Sequence, residues 1–155
     1  MPALLGNSTI IQVGIIVKNI EETKKKWASF FGIPVPVTVQ AGEYETTQTK
    51  YKGNDAPKAK CQMAFFEAGP NMQLELIQPN GEKSTWQDFL DEKGEGIHHI
   101  AFSVKDTKKV IETCEKEGFK CVQQGKYGDA SGEYAYLDTE KTLKCVIETL
   151  ESYSR

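Results

Sequence analysis

Two histidines, His98 and His99, stand side by side in the stretch GIHHIAFSV, and they are the only histidines in a chain of 155 residues. Imidazole moves protons near neutral pH or holds a metal ion through a bare ring nitrogen. The stretch reads as a strand, in which successive side chains point to opposite faces. His98 then shares a face with the bulky Ile100, Phe102 and Val104, a face expected to pack against a helix. That makes it a packing residue or one that supports the site from behind, its ring N–H needing a partner if buried. His99 shares a face with Ala101 and Ser103, which leave room around it. Of the two, His99 is the one placed to do chemistry.

The same alternation picks out three more polar side chains. Gln12 lies with Gly14 and Ile16 opposite the bulky Val13, Ile15 and Val17. Glu75 lies with Gln73 and Ile77 opposite Leu74 and Leu76. Glu148 lies with Lys144 and Val146 opposite Cys145 and Ile147. Taken singly, each has an ordinary reading. A strand glutamate commonly faces water, a buried histidine is commonly a hydrogen-bonded core residue, and a lone glutamine means little. It is their placement in an internal repeat that gives them a joint meaning.

That repeat sets QVGIIVKNIEETKKKWASFFGI, from Gln12, over HIAFSVKDTKKVIETCEKEGF, from His99. Gln12 meets His99, Val17 meets Val104, Lys18 meets Lys105 and Asn19 meets Asp106. Each copy runs from a strand into a helix. Asn19 and Asp106 are natural N-caps, with Glu22 at capping-box spacing in the first copy. Ile20, Trp27 and Phe31 share one helical face, as do Val110 and Cys114, and Gly32 and Gly118 end the helices. Strands are expected near 34–40, 60–67 and 72–77, and again near 119–124, 133–138 and 143–149. AFFE from Ala64 matches AYLD from Ala135, and LEL around Glu75 matches IET around Glu148.

Each half is therefore βαβββ, over 8–80 and 97–150, within a single domain. A linker helix in 81–96 joins them, opened by the capping box of Ser84 and Gln87. Its apolar stripe of Trp86, Phe89 and Leu90 is expected to cover the core. The polar stretch 42–58 reads as a long loop or loose strand, the least ordered part of the body and a candidate lid. The four polar residues fall on the first and fourth strands of each half. A pseudo-twofold relation would curl the sheet around a cavity in which two carboxylates, an imidazole and a carboxamide converge. On a buried face such a set must be paired or metal-bound.

Composition narrows the partners. The chain is 39% hydrophobic and 26% charged, as soluble globular proteins are. A net charge of −3 gives no electrostatic basis for binding nucleic acid. No apolar run reaches the roughly 18–20 residues of a membrane span. MPALLGNSTI has no basic region before its apolar residues, so no secretory signal is expected and the cytoplasm is. Cys61, Cys114, Cys121 and Cys145 are scattered among apolar neighbours, which predicts buried free thiols in a reducing compartment. The only arginine is Arg155, so no internal guanidinium fork is available to grip a carboxylate or phosphate.

The paired βαβββ pattern, with HHIAFSV opening its second half, resembles the vicinal oxygen chelate (glyoxalase/bleomycin resistance) superfamily from about Ile10 to Leu150. LELIQP, the linker helix and GEGIHHIAFSV are most similar to its methylmalonyl-CoA epimerase-like branch. The resemblance implies an α+β fold, a cupped mixed sheet around a central metal cavity. It also implies a divalent ion (Mn, Co, Mg or Zn) held by one side chain from each of four strands, usually His, Gln or Glu, His, and Glu. Carried over, these ligands are Gln12, Glu75, His99 and Glu148. Gln12 departs from the usual first histidine, and the oxygen-rich set suits manganese, magnesium or cobalt better than tetrahedral zinc. A second departure is Lys58, where the epimerases carry a glutamate base; Glu43 and Glu45 lie further upstream. Glu148 then serves as both ligand and base.

The activity implied is removal of a proton α to a carbonyl or thioester, with a small-molecule substrate, an acyl-CoA such as methylmalonyl-CoA, and a homodimeric assembly. A lactoylglutathione lyase ranks second, because its family grips glutathione carboxylates with arginine. A dioxygenase ranks third, because its iron needs two histidines and one carboxylate. A metal-free small-molecule binding protein is the alternative without chemistry.

Overall fold

The alternation after Thr9 forms β1 (Ile10–Ile16), and Asn19 then caps α1 (Ile20–Phe31) by accepting the Glu22 backbone N–H at 3.1 Å. This is a computed structural model, and it describes residues 3–153. Arg155 and the first two residues of the chain lie outside them. The expected strand near 34–40 shrinks to β2 (Val39–Gln40), because Pro34 and Pro36 offer no N–H to a ladder. Next come α2 (Tyr44–Thr47), β3 (Lys50–Tyr51), β4 (Asn54–Asp55), β5 (Cys61–Glu67) and β6 (Gln73–Pro79). The linker helix is α3 (Thr85–Lys93), capped by Ser84, which accepts the Gln87 N–H at 3.0 Å. The second half follows as β7 (Gly96–Ser103), α4 (Thr107–Lys116), β8 (Cys121–Lys126), β9 (Gly132–Leu137), α5 (Glu140–Leu143) and β10 (Val146–Ser152). The short helix α5 was not legible in the sequence, and it delays the last strand from the expected 143 to Val146.

All ten strands form one sheet, in the order β2-β5-β6-β1-β7-β10-β9-β8-β3-β4. At its centre β1 pairs antiparallel with β7, as equivalent strands related by a twofold must. Each is flanked by a parallel partner, β6 beside β1 and β10 beside β7. The outer strands pair antiparallel. A second matched device ties the halves to the same plan. Gln78 on β6 accepts the Ile20 N–H at 2.8 Å, and Glu151 on β10 accepts the Thr107 N–H at 2.8 Å. Each sits three residues beyond Glu75 or Glu148 and holds the start of its half's helix.

The helices α1 and α4 cover the convex side. Ile20 and Ala28 of α1 pack on Val17, Phe66 and Leu76, and Val110 and Cys114 of α4 on Val104, Leu137 and Ile147. All four cysteines are free thiols; Cys61 and Cys114 are buried, whereas Cys121 and Cys145 are half-buried.

The segment 42–58 differs from expectation. It is not a loose loop: it crosses to the second half, where β3 pairs with β8 through Lys50 with Gln124 and Tyr51 with Gln123. Thr47 and Thr49 are buried along the way. Six strands separate β2 from β8, which in a flat sheet would set them roughly 33 Å apart. Yet Gly42, two residues past β2, touches Gly128, two residues past β8; a Cβ on Gly42 would lie 2.6 Å from the Gly128 Cα. The sheet is therefore curled into a half-barrel whose two sides meet.

The linker helix closes one end of this cup. Trp86 is buried with Ile16, Cys61, Ile77 and Tyr136, and its Nε1–H donates to the Tyr136 hydroxyl at 2.9 Å. The helix start is held by Gln123, whose Oε1 accepts the Thr85 N–H at 2.8 Å while its amide donates to the Tyr134 hydroxyl at 3.0 Å. Replacing Trp86 by phenylalanine keeps a ring but removes the donor to a buried hydroxyl. The expected cost is about 1–2 kcal/mol, read as a lower urea midpoint with an unchanged slope. Among the described residues, no helix is long and apolar enough to cross a membrane.

Candidate metal centre

The four central strands, β6, β1, β7 and β10, bring Glu75, Gln12, His99 and Glu148 together on the concave face. All four are buried, at 6%, 4%, 0% and 4% exposure. His99 Nε2 lies 2.9 Å from Glu148 Oε2, 3.1 Å from Gln12 Oε1 and 3.5 Å from Glu75 Oε1. Gln12 is oriented by its neighbour: its amide nitrogen donates to Gln73 Oε1 at 2.7 Å, which turns its oxygen toward the cluster. Gln73 was not singled out from the sequence. Its signal was there, two residues before Glu75 on the same strand face.

Gly14 makes the convergence sterically possible. It pairs with Glu75 on one side and His99 on the other. The imidazole lies directly over it, so that a Cβ on Gly14 would come within 2.0 Å of His99 Cε1 and 2.4 Å of Nε2. Strand alternation had placed Gly14 on this face without showing that the ring needs its emptiness.

The structure corrects the expected position of His98. The β1–β7 register pairs Gly14 with His99 and Ile15 with Ile97, leaving His98 unpaired in a β-bulge. The bulge breaks the alternation and turns His98 into the cup beside His99, instead of out toward α4. There it is buried against Phe89 of α3 and Tyr136 of β9, each ring 5.2 Å away. Tyr136 also packs 5.2 Å from the His99 ring. Lys58, Glu43 and Glu45 are exposed, and Glu43 forms an ion pair with Lys60 at 2.6 Å. None of the three joins the buried cluster.

The electrostatics are those of a site short of positive charge. Burial, followed by the nearby Glu148, pushes the Glu75 carboxyl up to about 8, against a smaller opposing pull from His99. Burial pushes His99 down, but Glu148 and Glu75 together outweigh it and raise its pKa. His98 is held well below the usual histidine range by burial, then by His99 and Lys93. Burial also raises Cys61 and Tyr136, with Glu75 and Glu148 adding to it, which keeps both protonated.

Glu75 Oε1 and Glu148 Oε2 are buried oxygens with no hydrogen-bond partner of good geometry. The close His99–Glu148 approach is an ion-pair contact, and a single Nε2 proton could serve only one of the three oxygens around it. Among the described residues, Glu75, His99 and Glu148 are the group whose ligand atoms all lie within 4.8 Å of one another. An octahedral ion with bonds of about 2.1 Å sets adjacent ligand atoms about 3 Å apart. The observed spacing and the two carboxylate oxygens crowded on one nitrogen fit a divalent cation, and three oxygens with one nitrogen fit a hard one.

A curled sheet built from two βαβββ halves, with four polar side chains converging from its central strands, defines a class. The chain belongs to the glyoxalase/bleomycin resistance protein/dioxygenase superfamily, whose family model matches residues 11–136. Among curated relatives, it is 25% identical to the mitochondrial methylmalonyl-CoA epimerase of Dictyostelium discoideum over 148 residues, 95% of this chain and 80% of that one. It is 28% identical to the ethylmalonyl-CoA/methylmalonyl-CoA epimerase of Cereibacter sphaeroides over 122 residues, 75% of this chain and 90% of that one. Its fold matches that of a Streptomyces coelicolor methylmalonyl-CoA epimerase variant in complex with 2-nitronate-propionyl-CoA. That match has a TM-score of 0.66 at 18% identity and covers 95% of this chain and 99% of that one.

Proposed function

We propose that this protein is a divalent-metal-dependent epimerase of 2-methyl-branched acyl-CoA thioesters, with methylmalonyl-CoA the first substrate to try. The observation that carries the reading is the convergence of Gln12, Glu75, His99 and Glu148, with two buried carboxylate oxygens sharing the single ring nitrogen of His99. The epimerases named among its relatives support the substrate class.

Gln12, Glu75, His99 and Glu148 would hold the ion, which supplies charge stabilisation where negative charge develops beside the substrate carbonyl. Glu148 is the carboxylate assigned to take the proton α to the thioester. Glu75, in the same plan, completes the ligand set from the opposite side of Gly14. The four side chains are buried within the half-barrel, which would keep water from the reacting carbon. Inversion then needs a proton delivered to the opposite face by a second acid outside these four residues, while the proton held by Glu148 passes to solvent.

Two rivals are weaker. A lactoylglutathione lyase has glutathione carboxylates to grip, and no arginine occurs before Arg155. A metal-free binding protein gives no role to two buried carboxylates crowded on one imidazole nitrogen.

The test is metal content by mass spectrometry after soaking with manganese, cobalt or zinc, beside deuterium exchange at C2 of methylmalonyl-CoA. About one ion per chain is expected, lost in His99→Ala, with exchange following the ion. Failure of every ion to bind stoichiometrically, or ion binding without exchange on any branched acyl-CoA, would overturn the reading.

A further inference from the structure

We infer that His98 is a positioning residue for His99: its Nδ1 accepts the Nδ1 proton of His99, and this presents the His99 Nε2 lone pair to the centre. The inference rests on the metal reading above. The two Nδ1 atoms lie 3.0 Å apart in a buried contact, which is a hydrogen-bond distance. Such a bond requires one ring nitrogen protonated and the other bare.

Two arrangements of neutral rings satisfy it. With the proton on His98 Nδ1, His99 must carry its own proton on Nε2, aimed at Gln12, Glu75 and Glu148, and it has no lone pair to offer a cation. With the proton on His99 Nδ1, Nε2 is bare and faces three oxygens at 2.9–3.5 Å, an arrangement that only a cation makes favourable. Metal binding therefore selects the second arrangement, and His98 is the acceptor that holds it.

In metal sites this outer role usually falls to a carboxylate or a backbone carbonyl. Here a second imidazole fills it, delivered by the bulge that places two sequence neighbours on one face. Its ring is fixed edge-on to Phe89 (79° between planes) and to Tyr136 (75°), so the acceptor atom is held toward His99 by packing on both sides.

Manganese dissociation constants for the wild type, His98→Phe and His98→Asn test the inference. Phenylalanine keeps a ring between Phe89 and Tyr136 but accepts nothing. Asparagine returns an oxygen near the Nδ1 position. His98→Phe is expected to bind manganese roughly 10- to 100-fold more weakly, and His98→Asn to recover most of the loss. In the zinc-loaded protein, ¹⁵N spectra are expected to show a slowly exchanging His99 Nδ1–H in the wild type and in His98→Asn. In His98→Phe that proton exchanges fast. Wild-type affinity in His98→Phe, or equal losses in both variants, would overturn the inference while leaving the metal centre intact. Absence of binding in the wild type would instead overturn the metal reading, and this inference with it.

Discussion

Gly14→Ala is expected to abolish stoichiometric ion uptake while leaving the fold in place. The added methyl would sit 2.0 Å from His99 Cε1, well inside any tolerable contact. The imidazole has nowhere to retreat, because it is fully buried and walled by Tyr136 and His98. Either the ring is pushed off the point where Gln12, Glu75 and Glu148 converge, or β1 and β7 separate locally. Overpacking of this kind costs about 1–3 kcal/mol, which a domain of this size survives. A displacement of about 1 Å at the reacting centre is enough to cost on the order of 100-fold in rate. The measurement is ion content beside a circular dichroism melt. A variant with a native spectrum and no bound ion is the expected result. Full uptake would show that His99 is not the residue around which the site is built.

The second large effect is a reversal of pH dependence on metal loading. In the metal-free protein Glu75 titrates at about 8, against an ordinary 4.5, and His99 also titrates above its ordinary 6.5. Groups whose folded-state pKa is raised stabilise at low pH, and that stability is lost as pH rises through the folded value. Glu75 thus withdraws stability from about 4.5 up to about 8, and His99 from 6.5 upward. His98, whose pKa is lowered, acts below 6.5 and in the opposite sense, so the clean window is 6.5 to about 8. There one retained proton on Glu75 lowers stability by about 1.4 kcal/mol per pH unit. The melting temperature of metal-free protein is expected to fall across this window, and Glu75→Gln to flatten the fall. A bound cation requires Glu75 ionised and Nε2 bare, so binding releases protons and tightens with pH. The rise in melting temperature caused by manganese should therefore be larger at pH 8 than at pH 6.5. A rise that is constant with pH would exclude these ligands.

Much of the architecture is legible in one dimension because it rests on local physics. Asn19, Ser84 and Asp106 cap their helices as their side chains dictate, and each donor–acceptor pair lies three residues apart. The period-two alternation in β1, β6 and β10 assigned faces correctly, because one side of each strand is a helix-covered core. Repeat symmetry then carried Gln12, Glu75, His99 and Glu148 onto a common face, with no knowledge of what lay between them.

What alternation could not show is where it stops holding. The bulge at His98 is set by the β1–β7 register, a pairing between residues more than eighty positions apart. The helix-to-sheet ties of Gln78 and Glu151 and the crossing of β3 to β8 depend in the same way on partners distant in the chain.

By itself the sequence determined the repeat, the helix ends, the faces of the central strands and the four side chains that share one of them. These follow from backbone alternation, capping and apolar spacing, which act over a few residues. Only the tertiary structure decided that Gly14 must stay bare beneath a ring, that Gln73 turns the Gln12 oxygen inward, that two adjacent histidines face the same way, and that Gly42 meets Gly128 across the cup. Each of those is a contact between segments brought together by the closing of the sheet, and close packing, not local propensity, sets its terms.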